Sequence, residues 1–139
     1  MKKKIINLLL PYLPKIEKDL LYMLSKKEEK IHKRIIKELV ETKNLDIAGK
    51  LEAIVGNFEK AVRYAKELSY IHSGNGEEIY QAGQIYAMIK HENGVLECAK
   101  KLIKNGNIYK IYKAGKLFVI GGYEEKARNC TELLQKVQR

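Results

Sequence analysis

Apolar residues recur along this chain at the three- and four-residue spacing of amphipathic helices, and no segment alternates for long enough to indicate a β-sheet. The pattern therefore predicts an all-α fold of eight or nine helices. Their approximate positions are 2–10, 14–24, 26–43, 45–55, 58–71, 77–90, 94–104, 108–120 and 123–137.

Short segments with turn chemistry separate these predicted helices. Pro14 ends one helix and suits the first turn of the next. Asn57 and Asn93 are predicted N-caps of the helices that follow them. Residues 72–76 and 121–122 are predicted turns, because Gly and Asn tolerate positive φ. Each break is short, so no linker divides the chain.

An Ala-Gly pair occurs three times, with Gly49, Gly83 and Gly115 spaced 34 and then 32 residues apart. A period of this size is typical of stacked helical hairpins, each of which buries its apolar face against the next. Glycine within a helix costs about 1 kcal/mol of helix propensity. We therefore expect close helix approach, with all three glycines buried at helix crossings. Further matched positions, at fixed distances from each glycine, are Leu45, Ile79 and Ile111; Ala61, Val95 and Ala127; Leu68, Leu102 and Leu134.

The first copy resembles a tetratricopeptide repeat. Gly49 is similar to the glycine of that family's first helix, Gly56 to its turn, and Ala61 to the small residue that opens its second helix. Residues 122–127 are a similar turn with one extra residue. The family's helix-ending proline is absent from all three copies, and the middle turn matches poorly. The resemblance, which covers about residues 45–137, implies a superhelix of stacked antiparallel hairpins whose concave surface holds a peptide or a protein.

Two regions follow from this repeat. Residues 1–44 do not align with it and are predicted to form an N-terminal cap or a degenerate hairpin. Residues 45–139 are predicted to form three hairpins within the same compact domain.

The composition adds a basic character, because 27 Lys and Arg exceed 17 Asp and Glu and the net charge is +10. A composition rich in Lys and Glu is typical of thermophilic proteins. No window offers the roughly 18 apolar residues of a membrane span. The apolar start, residues 5–13, is interrupted and precedes no cleavage site, so a cytoplasmic location is predicted, with a helix lying on a membrane surface as the alternative for this segment.

The strongest candidate binding surface is the basic segment 98–123, which contains no acidic residue. Lysines interleaved with tyrosines can hold single-stranded nucleic acid by charge neutralisation and base stacking. We favour the other interpretation, a solvated face or one that binds an acidic protein. The candidate residues are Lys100, Lys101, Lys104, Tyr109, Lys110, Tyr112, Lys113 and Lys116.

The two cysteines, Cys98 and Cys130, occupy the same repeat position, fifteen residues after a glycine. We expect small core residues rather than a metal or redox pair. Neighbouring hairpins would hold their backbones about 8–10 Å apart, too far for a disulfide.

No motif predicts catalysis, a cofactor or a metal. The histidines, His32, His72 and His91, are isolated, and we expect surface or turn positions for them. The sequence therefore predicts a non-enzymatic protein–protein interaction module. Its expected partner is a protein or peptide, with an acidic one as one option. Self-association is a variant, since short repeat arrays have exposed apolar ends, and nucleic-acid binding is the alternative.

Overall fold

Seven α-helices and no strand make up residues 29–104 and 107–137, which are the residues that the computed structural model describes. The all-α prediction is confirmed for these residues. The predicted helices near 2–10 and 14–24 lie outside them. The seven helices are α1 (Glu29–Glu41), α2 (Leu45–Val55), α3 (Phe58–Ser69), α4 (Glu77–Met88), α5 (Glu92–Lys104), α6 (Ile108–Gly121) and α7 (Glu124–Val137).

Helix packing follows the repeat. Each helix packs against the next one along the chain, so α2 with α3, α4 with α5, and α6 with α7 form three hairpins. The first helices of successive hairpins also pack side by side, α2 on α4 and α4 on α6. The described part of the N-terminal region, α1, packs against α2. The first helices therefore form a continuous layer, and the core lies between this layer and the second helices.

The Ala-Gly pairs lie where first helices meet. A Cβ atom on Gly49 would lie 2.5 Å from Cδ1 of Ile85, and one on Gly83 would lie 2.5 Å from Cδ1 of Leu117. Both glycines are buried, as expected. Ile85 and Leu117 each lie two residues after the glycine of their own repeat and pack over the glycine of the preceding repeat. We call these two side chains knobs. Only a residue without a side chain leaves room for these knobs.

The expectation of burial is wrong for the third glycine, Gly115, which is half-buried. The nearest described atom to its ideal Cβ is Cβ of Cys130, at 3.4 Å. The reason is positional, because α7 is the last described helix and no further first helix among the described residues supplies a knob.

The N-cap of α5 also differs from the prediction. Helix α5 begins at Glu92, so Asn93 lies inside it and is not the cap. Instead, the backbone N–H of Gly94 donates a hydrogen bond to Nδ1 of His91, at 2.9 Å. His91 is exposed in the turn, as expected, but it satisfies one of the free N–H groups at the helix start.

Asn57 precedes α3 as predicted, but its side chain makes no cap hydrogen bond. Its backbone (φ −84°, ψ 67°) departs from the extended conformation that aims a cap side chain at the first turn. The Asn57 amide donates instead to Oε1 of Glu52, at 3.2 Å, and so ties the turn to α2.

The predicted turn at 72–76 is confirmed, and Gly76 has a φ of +72°. The N–H of Glu77 donates to Oγ of Ser73 at 3.2 Å and to Oδ1 of Asn75 at 3.0 Å. A Cβ atom on Gly76 would lie 2.5 Å from Cδ2 of Leu102. Gly76 therefore meets two requirements, a left-handed backbone and close packing against α5.

Candidate functional site

In the structure, the predicted basic residues contact several different neighbours. On α5, Nζ of Lys101 lies 3.4 Å from the carbonyl oxygen of Ser69 and 4.8 Å from the centre of the Tyr70 ring. Lys100 lines a groove between α5 and α7, and Lys104 is exposed. These three lysines therefore do not share one neighbour.

The lysines of α6 are directed towards α4 and its preceding turn. Lys113 forms an ion pair with Glu77 at 3.6 Å, and its side chain is only 15% exposed. The stem of Lys110 lies beside Gly76, with Cγ 3.1 Å from the ideal Cβ position. Tyr109 is 62% exposed. The predicted patch is thus partly occupied by contacts within the fold.

Lys116 differs from the other lysines because it joins two aromatic rings. Its Nζ lies 5.0 Å from the centre of the Tyr80 ring and 5.3 Å from the centre of the Tyr112 ring. Contacts of this kind are cation–π interactions. We call Tyr80, Gln84, Tyr112 and Lys116 the Tyr80 cluster.

The repeat explains why these four residues come together. Tyr80 and Tyr112 each precede a repeat glycine by three residues, and Gln84 and Lys116 each follow one directly. A spacing of four residues places each pair on one side of its helix. Because α4 and α6 pack side by side, the two pairs become neighbours on the layer of first helices.

Burial sets the chemistry of Tyr80, which is 6% exposed. Desolvation raises the pKa of its phenol above the ordinary value of 10.0, although the charge of Lys116 and hydrogen bonds with Lys116 and Gln84 act in the opposite direction. The phenol therefore stays protonated at neutral pH, and the charge of the cluster is that of Lys116.

Gln84 contributes a buried acceptor. Gln84 is only 5% exposed, and its Oε1 atom accepts no hydrogen bond from the described residues. A buried carbonyl oxygen without a donor costs free energy. The Tyr80 cluster thus combines a cation, an unused acceptor and the 57% exposed ring of Tyr112.

The cysteines are buried free thiols, with Cys98 1% and Cys130 2% exposed. Burial raises the pKa of the Cys98 thiol to about 12 and raises that of Cys130 as well. Within the described ranges, no group of three or more His, Cys, Asp or Glu residues could hold a metal ion. No described helix is long and apolar enough to cross a membrane.

We expect Cys98 to resist alkylation in the native protein. Moving the pKa of a thiol from 9.0 to about 12 leaves about a thousandfold less thiolate at pH 8. The Cys130→Ser variant isolates Cys98, and mass spectrometry after iodoacetamide treatment should show modification only once guanidinium has unfolded the chain. Rapid modification of the native variant would mean that Cys98 is accessible and ionised.

Only two of the four residues of the Tyr80 cluster were predicted from the sequence. Tyr112 and Lys116 were predicted from the basic segment, whereas Tyr80 and Gln84 lie in a part of the chain without basic residues. Their repeat positions could have identified them, because Tyr80 and Gln84 lie at the same distances from a repeat glycine as Tyr112 and Lys116. No family model, no curated protein and no solved structure matches this chain.

Proposed function

We propose that this protein is a non-enzymatic, tetratricopeptide-like repeat module that binds an acidic segment of another protein on its layer of first helices. The side-by-side packing of α2, α4 and α6 supports the repeat assignment. So do the glycines at the first two crossings, where the next helix approaches within van der Waals distance. Successive hairpins packed in this way would form a superhelix with the first helices on its concave side.

The Tyr80 cluster carries the proposal. A carboxylate of the partner would pair with Nζ of Lys116, which is exposed and held over two rings. The exposed ring of Tyr112 would cover an apolar part of the same segment. A net charge of +10 would speed the encounter with an acidic partner.

Nucleic-acid binding is less well supported by the same residues. A strand needs a continuous row of free cations and exposed rings. Lys101 and Lys113 are instead engaged with Ser69 and Glu77. The second ring beside Lys116, that of Tyr80, is buried and offers no face for base stacking.

Lys116→Glu should weaken the binding of acidic peptides at least tenfold, because it removes the cation and adds a like charge. A tenfold change corresponds to about 1.4 kcal/mol, close to the lower end of the range for one charge-assisted hydrogen bond. The probes are fluorescein-labelled ten-residue peptides with Glu at alternate positions, measured by fluorescence anisotropy beside matched Gln and Lys peptides. Lys104→Glu is the control, since it makes the same charge change at an exposed position of α5 outside the Tyr80 cluster.

Two outcomes would contradict the proposal. In the first, the Glu peptides bind no better than the Gln peptides at low salt, or Lys104→Glu weakens them as much as Lys116→Glu. In the second, an oligothymidylate of fifteen nucleotides binds more tightly than any peptide, and its affinity falls steeply as the salt concentration increases. That second result would establish nucleic acid as the partner class.

A further inference from the structure

The first two repeats show how an internal crossing is completed. In the first, a knob from the next first helix, Ile85, covers Gly49, and Cβ of Tyr64 forms the floor at 3.5 Å. In the second, Leu117 covers Gly83 in the same way. Both knobs are 0% exposed. Each crossing is therefore a socket that accepts one branched aliphatic side chain from an adjoining helix.

The third repeat forms the same socket without a knob among the described residues. Tyr112, Gly115, Val119, Ala127, Cys130 and Leu134 line a groove of about 350 Å³, which we call the end socket. Val119 is 61% exposed, and Ala127 and Leu134 are half-buried.

The matching columns of the earlier repeats are covered. Ala61 and Leu102, the counterparts of Ala127 and Leu134, are 0% exposed. The third repeat thus keeps the small and apolar residues of an internal crossing. A repeat whose outer face met only water would be expected to carry polar residues there instead.

The charge at the rim indicates what covers this socket. Lys116 and Arg128 border it, and no Asp or Glu of the described residues lines it. Arg128 has one acidic neighbour, Glu124 at 3.9 Å, in an exposed pair that contributes little. A second copy placed symmetrically on the socket would bring two such basic rims together, in a chain of net charge +10. An acidic helix of a different protein avoids that repulsion.

We infer that the end socket receives a helix of a protein partner. A branched aliphatic residue of that helix lies over Gly115, as Ile85 lies over Gly49, and its acidic flanks face Lys116 and Arg128. This site is separate from the proposed binding of an extended segment, although Lys116 and Tyr112 border both. Gly115 and Val119 belong to the end socket alone and so provide its test.

The chain supplies its own probe, because α4 is a helix that completes a socket. A stapled, fluorescein-labelled helical peptide with the sequence of residues 77–88 carries the knob Ile85 and the acidic pair Glu77 and Glu78. We expect it to bind the full-length protein in fluorescence anisotropy. Binding should weaken at least tenfold with Ile85→Asp in the peptide, and it should weaken at low salt when both glutamates become Gln.

Gly115→Leu in the protein should abolish peptide binding, because the new side chain occupies the socket. Among the described residues its Cβ meets only Cys130, at an ordinary distance, so the thermal midpoint by circular dichroism should not fall. Gly74→Leu is the matched control, since no described atom lies within 4 Å of that Cβ position. Val119→Asp is a second variant on the exposed wall of the socket, and it should also weaken binding.

Three results would overturn the inference: no binding at millimolar peptide, binding that Gly115→Leu and Val119→Asp leave unchanged, or a dimer in sedimentation that Gly115→Leu converts to a monomer. The last would assign the socket to a second copy. Gly115→Leu should leave the binding of acidic extended peptides intact, so a failure here is distinguishable from a failure of the proposed function.

Discussion

Replacing Gly83 with leucine should lower the free energy of unfolding by about 1–3 kcal/mol or more. The first atom of the new side chain would already lie 2.5 Å from Cδ1, 2.7 Å from Cδ2 and 3.2 Å from Cγ of Leu117. Leu117 is 0% exposed, so its whole side chain would have to move within a packed core. The helix propensity that leucine adds, about 1 kcal/mol, offsets only part of this cost. Urea denaturation followed by circular dichroism at 222 nm measures the change.

Gly115→Leu is the matched control, because it makes the same substitution at the same repeat position. No knob from the described residues lies over Gly115, so we expect the variant to be as stable as the unmodified protein or up to about 1 kcal/mol more stable. If Gly83→Leu unfolds at the same urea concentration as the unmodified protein, the close crossing of α4 and α6 is wrong, and the repeat interpretation loses its main physical support.

Gly76→Ala should be comparably damaging, at about 2–4 kcal/mol, because two costs add there. The φ of +72° is a left-handed conformation that a residue with a Cβ adopts at a cost. The new Cβ would also lie 2.5 Å from Cδ2 of Leu102, which is 0% exposed. The stem of Lys110, at 3.1 Å, can move aside more easily, since it belongs to a long and flexible side chain.

Gly56→Ala separates the two costs. Gly56 has a φ of +90°, but no described atom lies within 4 Å of its Cβ position, so the variant suffers the backbone cost alone. We expect Gly76→Ala to lose at least about 1 kcal/mol more than Gly56→Ala in the same urea titration. Equal losses would show that Leu102 does not pack against this turn.

The ends of two helices show where local sequence signals were insufficient. The predicted helices ending at 43 and 90 end two residues earlier in the structure, at Glu41 and Met88. In both cases a lysine adopts the left-handed conformation that usually favours Gly or Asn, Lys43 with φ 62° and Lys90 with φ 57°. Lysine has no local preference for this conformation, so the sequence carries no signal for these ends.

The prediction of the N-cap of α5 was wrong for a related reason. Asn93 is the stronger cap by residue type, and His91 is an unusual one. The choice depends on Gly94, because its lack of a side chain lets the ring of Tyr86 lie within 2.6 Å of the ideal Cβ position. The helix start is therefore determined by packing between α4 and α5, which residue preferences do not report.

The all-α class, the approximate positions of the seven described helices and the repeat positions at which glycine permits close crossing were predictable from the amino-acid sequence. These follow from hydrophobic periodicity and from the absence of a Cβ, which are local properties of the chain. Which lysines remain available for a partner could not be predicted, because the groups that contact Lys101 and Lys113 come from other helices. The contact of Lys116 with Tyr80, and the absence of a knob over Gly115 among the described residues, also depend on which helices pack beside α6, which residue preferences do not report.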